Sequence, residues 1–266
     1  MSKLVKPSFP QLNRSHPLAQ GLVFDMPFFE GSGLRAAELI SQSDGALTNT
    51  PTWVNSIFGN ALKITGTLGS QLVAATAKPH QQGLTQISVE FFVKGEANDS
   101  RVIDKRGASF RFGAFWKTFG GFTDGIVFFA GWSGGVAEWR SPQNVAPVNM
   151  WNHVVITYDF GSTSNDPKMY INGNEVTVSE ITAPSGSANA DGSNITIGNR
   201  PAANDGNTHS TLYARFWNRL LSRNEAAQLY ANPFQIYKRK TLSAELSAYA
   251  TAAPATRFNI MGTVGM

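Results

Sequence analysis

Short apolar and aromatic runs recur along most of this chain, separated by clusters of Gly, Asn, Asp, Ser and Pro, and this spacing restricts the fold more than any other feature. "GLVFDM" (21–26), "NALKIT" (60–65), "QISVEFFVK" (86–94), "SFRFGAFW" (109–116), "GIVFFAGW" (125–132) and "GVAEWR" (135–140) are followed by "NHVVITYDF" (152–160), "KMYING" (168–173), "NITIGN" (194–199) and "TLYARFWNRLL" (211–221). Apolar residues that alternate over four to eight positions between turn residues mark half-buried strands, and many such strands in succession predict an antiparallel β-sandwich. One turn is defined closely. Asn172-Gly173 readily takes the positive φ angles of a two-residue hairpin, so Lys168–Ile171 should pair with Asn174–Val178.

The stretch "FWNRLLSRNEAAQLYANPF" (216–234) breaks this pattern. Ser222 followed three residues later by Glu225 is a capping box, Ala226, Leu229 and Tyr230 have helical spacing, and Pro233 closes the segment, so one short helix should follow the last strand. Beyond it lies "YKRK" and then a small, weakly polar tail without strand pattern. The expected organisation is a lead segment 1–19, one domain 20–236 and a C-terminal arm 237–266.

Composition agrees with a packed β protein: of 266 residues, 42% are hydrophobic and only 15% charged, which excludes wholesale disorder. Without a single cysteine, disulfides, zinc-thiolate sites and cysteine nucleophiles are eliminated. The first twenty residues carry no apolar run of signal-peptide length, and no segment approaches the ~18 apolar residues of a membrane span, so synthesis in the cytoplasm without membrane insertion is expected. A net charge of +4 with scattered basic residues leaves only Lys238, Arg239 and Lys240 as a cluster, too few for a nucleic-acid footprint.

Three separated stretches resemble the laminin-G-like, concanavalin A-like lectin/glucanase jelly-roll family, in the versions common in bacterial and phage proteins. They are "GLVFDMPFFEGSG" (21–33), "GALTNTPTWVNSIFGNALKITG" (45–66), and the pair "WNHVVITYD…KMYINGNEV" with "ITIGNR…LYARFWNRLLSRNEAAQLY". Together they cover about residues 20 to 232. The resemblance implies two antiparallel sheets packed face to face, one of them concave, with a short helix after the last strand. It does not carry a function, because one sandwich can host lectins, hydrolases, adhesion modules and structural subunits.

Chemistry must therefore be sought residue by residue. Jelly-roll glycoside hydrolases place acid and nucleophile at alternate positions of one strand, whereas Glu90, Glu96, Asp99, Asp104, Asp124, Glu138, Asp159 and Asp166 include no such pair. "GWSGG" (131–135) fits the nucleophile pattern G-x-S-x-G but runs into another strand rather than a helix, and "GSGLRA" (31–36) lacks the βαβ context of a dinucleotide loop. His16, His80, His153 and His209 have no zinc-pair spacing, and His153 reads as a packed or hydrogen-bonded strand residue. No cofactor is expected. Calcium is the ion the resemblance implies, but Tyr213 and Ala214 stand where an acid would be sought, which leaves "AANDGN" (202–207) as the oxygen source. Trp116, Phe119, Phe122 and Trp132 lie close together among glycines and are candidates for exposed surface or ligand anchors.

No catalytic constellation, no secretion signal and a jelly roll with an arm lead to a non-enzymatic reading. The expectation is a virion structural protein that decorates a phage capsid, trimeric at a local three-fold position, whose assembly contacts are Lys238, Arg239, Lys240, Arg257, Phe258, Ile260 and Met261. Capsid or other virion proteins would be its partners. The alternative is a carbohydrate-binding adhesin module directed at a cell-surface glycan, which predicts aromatic and polar groups converging on one site. A glycan hydrolase or lyase is the third reading, and it predicts two carboxylates converging in a cleft.

Overall fold

The computed structural model describes residues 6–49, 51–65, 71–73, 78–96, 100–106, 110–190, 194–199 and 208–238. In chain order its strands are β1 (Leu22–Met26), β2 (Arg35–Ala36), β3 (Gly45–Thr48), β4 (Thr52–Ser56), β5 (Gly59–Ile64) and β6 (Gln71–Val73). Then follow β7 (Gln86–Gly95), β8 (Ser100–Arg106), β9 (Phe110–Phe119), β10 (Phe122–Trp132) and β11 (Gly135–Arg140). The second half adds β12 (Trp151–Asp159), β13 (Lys168–Ile171), β14 (Asn174–Val176), β15 (Ser179–Thr182), β16 (Asn194–Ile197) and β17 (His209–Trp217), ending on the helix α1 (Arg223–Ala231).

These strands form two sheets in which every pairing is antiparallel. The first has the order β14-β13-β12-β7-β17-β5-β4, with β1 taking the flank of β17 that β5 leaves free further along; the second runs β15-β11-β10-β9-β8-β16-β6-β3-β2. Alternation decides what each face carries. Ile87, Val89, Phe91 and Val93 of β7 and Val154, Ile156 and Tyr158 of β12 face the second sheet, where they meet Phe112, Trp116, Phe128 and Trp139 in one continuous core. The intervening residues, among them Phe92, Trp151 and Val155, point away from it.

That outer face of the first sheet is itself covered. Leu18 of the lead segment, Leu221, Ala226 and Leu229 at and within α1, and Phe234, Ile236 and Tyr237 after it form a second apolar cluster on the sheet. The helix begins as its capping box requires: Ser222 Oγ accepts from the Glu225 N–H, and Glu225 Oε2 accepts from the Ser222 N–H. Asn172 and Gly173, at φ of 51° and 81°, make the turn between β13 and β14. "GWSGG" is also a hairpin turn, with Trp132 opposite Gly135.

The lead segment and the start of the expected arm are both bound into the domain. Leu12 bridges to Tyr237, and the Lys238 N–H donates to Gln11 O at 2.7 Å. Tyr237 is 3% exposed, so a boundary between 236 and 237 cuts through a buried cluster. At the other end the Lys6 ammonium donates to the carbonyls of Pro27, Phe28, Asn60 and Leu212.

Candidate functional site

A register shift in β17 prepares the outer face. Thr211 lies opposite Val93 and Tyr213 opposite Phe92, so one extra residue is accommodated and the side-chain parity reverses. Ser210 before the shift, and Tyr213, Arg215 and Trp217 after it, consequently all share the outer face. Arg215 is directly opposite Glu90 on one side and Asp25 on the other. Its Nε donates to Asp25 Oδ1 at 2.9 Å, and its Nη1 donates to Glu90 Oε2 at 3.2 Å and Pro233 O at 2.8 Å. Nη2 donates to the Tyr237 hydroxyl, which donates in turn to Asp25.

Glu90 also accepts from the Tyr213 hydroxyl at 2.8 Å and from His153 Nε2 at 2.9 Å. Burial alone would raise the Glu90 carboxyl, but the Arg215 charge and the His153 and Tyr213 hydrogen bonds outweigh it and hold it below the usual carboxylate range. Burial pushes Asp25 upward despite Arg215, and lifts the Tyr213 and Tyr237 hydroxyls well above the ordinary tyrosine value. Two carboxylates thus converge on one guanidinium. Both are fully buried and saturated by protein donors, an arrangement that braces the sheet and leaves no access for a glycosidic bond.

One step along the same face the packing opens into a cavity of about 870 Å³. Phe92 of β7 and Trp151 and His153 of β12 belong to the sheet. Phe58 comes from the β4–β5 hairpin, Val145, Pro147 and Met150 come from the loop before β12, and Tyr230, Ala231 and Pro233 come from α1 and its end. Phe92 centres an aromatic group, with ring centroids 5.1 Å from Phe58, 5.7 Å from Trp151, 6.0 Å from His153 and 6.2 Å from Tyr213. Tyr230 lies 5.7 Å from the His153 ring and is 46% exposed.

Asn144, Asn152 and Asn172 contribute amides to the lining. His153 Nε2 pairs with Glu90, and its buried Nδ1 has no hydrogen-bond partner among the described residues. Half-exposed rings beside amides can hold a ligand with one apolar face and a polar periphery, as a pyranose has.

The aromatic anchors expected from sequence do not fall here. Trp116 is fully buried in the inner core, its Nε1 donating to Ala146 O, and Trp132 at 4% exposure packs against Phe160. Phe122 is 7% exposed, in a small cluster with Phe115 and Val127. These three are core residues and not surface anchors: β9 and β10 turn Trp116 and Trp132 inward, and Phe122 closes over Gly125. The Phe119 side chain, Arg239, Lys240, Arg257, Phe258, Ile260, Met261 and the calcium loop 202–207 lie outside the described residues. Lys238 is exposed. No group of His, Asp or Glu that could hold a metal ion, and no helix long and apolar enough to cross a membrane, occurs among the described residues.

The family model described as "Concanavalin A-like lectin/glucanases superfamily" (Laminin_G_3) matches residues 68–227. That span begins after the first two stretches that carry the resemblance and includes all but the last three residues of the third. No curated protein matches the chain significantly. Among solved structures, the binding domain of Paraclostridial Mosquitocidal Protein 1 aligns with a TM-score of 0.62 and 12% identity, over 80% of this chain and 52% of that one. The receptor binding domain of botulinum neurotoxin C/D mosaic serotype gives 0.61 and 14%, over 80% and 51%. Trypanosoma rangeli sialidase gives 0.58 and 17%, over 83% and 34%. The chain therefore spans about half the length of the two toxin domains and a third of the sialidase, and at these identities the likeness is one of fold.

Proposed function

The chain belongs to the concanavalin A-like lectin/glucanase superfamily, and from that membership we propose that it is a non-catalytic carbohydrate-recognition module whose binding site is the cavity around Trp151. The observation that carries this reading is the convergence of Phe58, Phe92, Trp151 and Tyr230 from four separate elements on one open cavity that also presents amide groups. A sugar ring would lie against Trp151 or Tyr230, with its hydroxyls toward Asn144. The non-catalytic part is supported by the sealing of Asp25 and Glu90 around Arg215.

Glycan-array binding followed by titration calorimetry tests it. Trp151→Ala should weaken the best ligand by about tenfold or more, the loss typical of a central aromatic anchor, measured below the lowered Tm that lost packing against Phe58 and Phe92 brings. Unaltered affinity in that variant, or new reducing ends released from a bound saccharide, would overturn the assignment.

A second reading, decoration of a virion surface, draws on the way the chain leaves the domain. Tyr237 is sealed in, and Lys238 beside it is exposed. On this reading the arm contacts neighbouring subunits of a trimer or of the particle, while the cavity faces outward. Protease protection of the segment after Lys238 on the assembled particle, but not on the isolated protein, supports it; protection on the isolated protein refutes it.

A further inference from the structure

Trp151 lines both the aromatic cavity and a second cleft of about 430 Å³. The new cleft is built on a single cross-strand row. Trp151 is opposite Lys94, Lys94 is opposite Ser210, and Ser210 is opposite Lys63, so the four side chains cross β12, β7, β17 and β5 on one face. At the spacing of adjacent strands the row extends about 14 Å from the indole, roughly the length of two or three sugar rings.

Among the described residues its charge is unbalanced. Lys63 Nζ lies 2.6 Å and Lys94 Nζ 3.5 Å from the same carboxylate, Glu96, to which Ser210 also donates. Burial would raise Glu96, but the Lys63 hydrogen bond and the two ammonium charges outweigh it and keep it ionised, so two cations share one anion. Both lysines retain about a third of their side-chain surface, at 32% and 31%. A positive charge that the protein only half answers, beside an indole already exposed to a ligand cavity, fits an anionic substituent on the bound molecule.

We propose that the ligand is an acidic saccharide: one ring packs on Trp151 and a carboxylate or sulfate on that ring or its neighbour is held by Lys94 and Lys63. The proposal rests on the saccharide reading given above and specifies its substrate class. Because lysine ammonium groups act as point charges, the site accepts either anion and reads charge more than shape.

Titration calorimetry on the full chain tests this with lactose and cellotetraose as neutral probes, oligogalacturonate and sialyllactose as carboxylates, and a heparin-derived oligosaccharide as the sulfate. At least one acidic probe should bind about tenfold more tightly than either neutral one and lose that margin as salt is raised. Lys94→Gln and Lys63→Gln should each weaken it roughly fivefold, whereas Glu96→Gln should tighten it several-fold by removing the competing anion. A gain in the last variant cannot come from lost folding. The carboxylate and sulfate arms decide which anion is preferred. Equal binding of neutral and acidic probes, or a Glu96→Gln variant that binds no better, overturns the acidic-ligand proposal and leaves the recognition module standing; binding of none of the five probes counts against both.

Discussion

At the scale of single residues, Arg215 holds the outer face together. Its guanidinium pairs with both Asp25 and Glu90, and all three side chains are fully buried. Arg215→Met keeps much of the volume but leaves two uncompensated carboxylates, and the loss of one partner from a buried ion network costs about 3–5 kcal/mol; urea unfolding of the variant should show it. Glu90 sets a pH dependence of definite sign. Its carboxyl titrates lower in the folded chain than in the unfolded one, so the stability it contributes is complete above the unfolded carboxylate pKa of about 4.3 and is lost as pH falls through the lower folded value. Glu90→Gln should therefore be less stable at pH 7 and show a shallower fall in Tm with acidification below about pH 4.5 than the natural chain.

At the scale of elements, α1 and the β13–β14 hairpin build one wall of the cavity jointly. A Cβ added at Gly173 would stand 2.7 Å from the Tyr230 ring, and the backbone there has a φ of +81°. Gly173→Ala should cost about 1 kcal/mol for the left-handed conformation and push Tyr230 off its seat, so saccharide affinity should fall in parallel with Tm. Both elements were legible in the sequence, the hairpin in Asn172-Gly173 and the helix in Ser222 and Glu225, because each is fixed by chemistry within a few residues. The cavity they enclose was not. Phe58, Phe92, Trp151 and Tyr230 are brought together only by sheet order, and that Ser210 shares its face with Tyr213 and Arg215 depends on the parity reversal between Thr211 and Tyr213, which no local pattern announces. The buried aromatics differ in kind: Trp116 shares its strand parity with Phe112 and Ala114, so alternation already points it inward, and nearness in sequence to Phe122 and Trp132 says nothing of which face it takes.

At the scale of the whole molecule, the sandwich is closed by residues on either side of the strands. Tyr237 donates to Asp25, Leu12 bridges to Tyr237, and the last backbone hydrogen bond among the described residues is that of Lys238. A chain ending at Ile236 should melt several degrees below one ending at Lys238, because loss of Tyr237 exposes Asp25 and Arg215 to water. Calorimetric melting of the two truncations separates these outcomes.

The way the two ends are fastened bears on behaviour under load. A pull on the N-terminal side meets the Lys6 ammonium gripped by four carbonyl oxygens, a rivet whose bonds must fail together. A pull on the C-terminal side meets Lys238, Tyr237 and Ile236 in turn, a zip that opens one bond at a time and ends at Pro233, which lines the cavity and whose carbonyl Arg215 holds. Tension applied at Lys238 would therefore loosen the cavity wall at Pro233 before the sheets part, as a catch slips, and leave the sandwich intact to grip again when the force is gone.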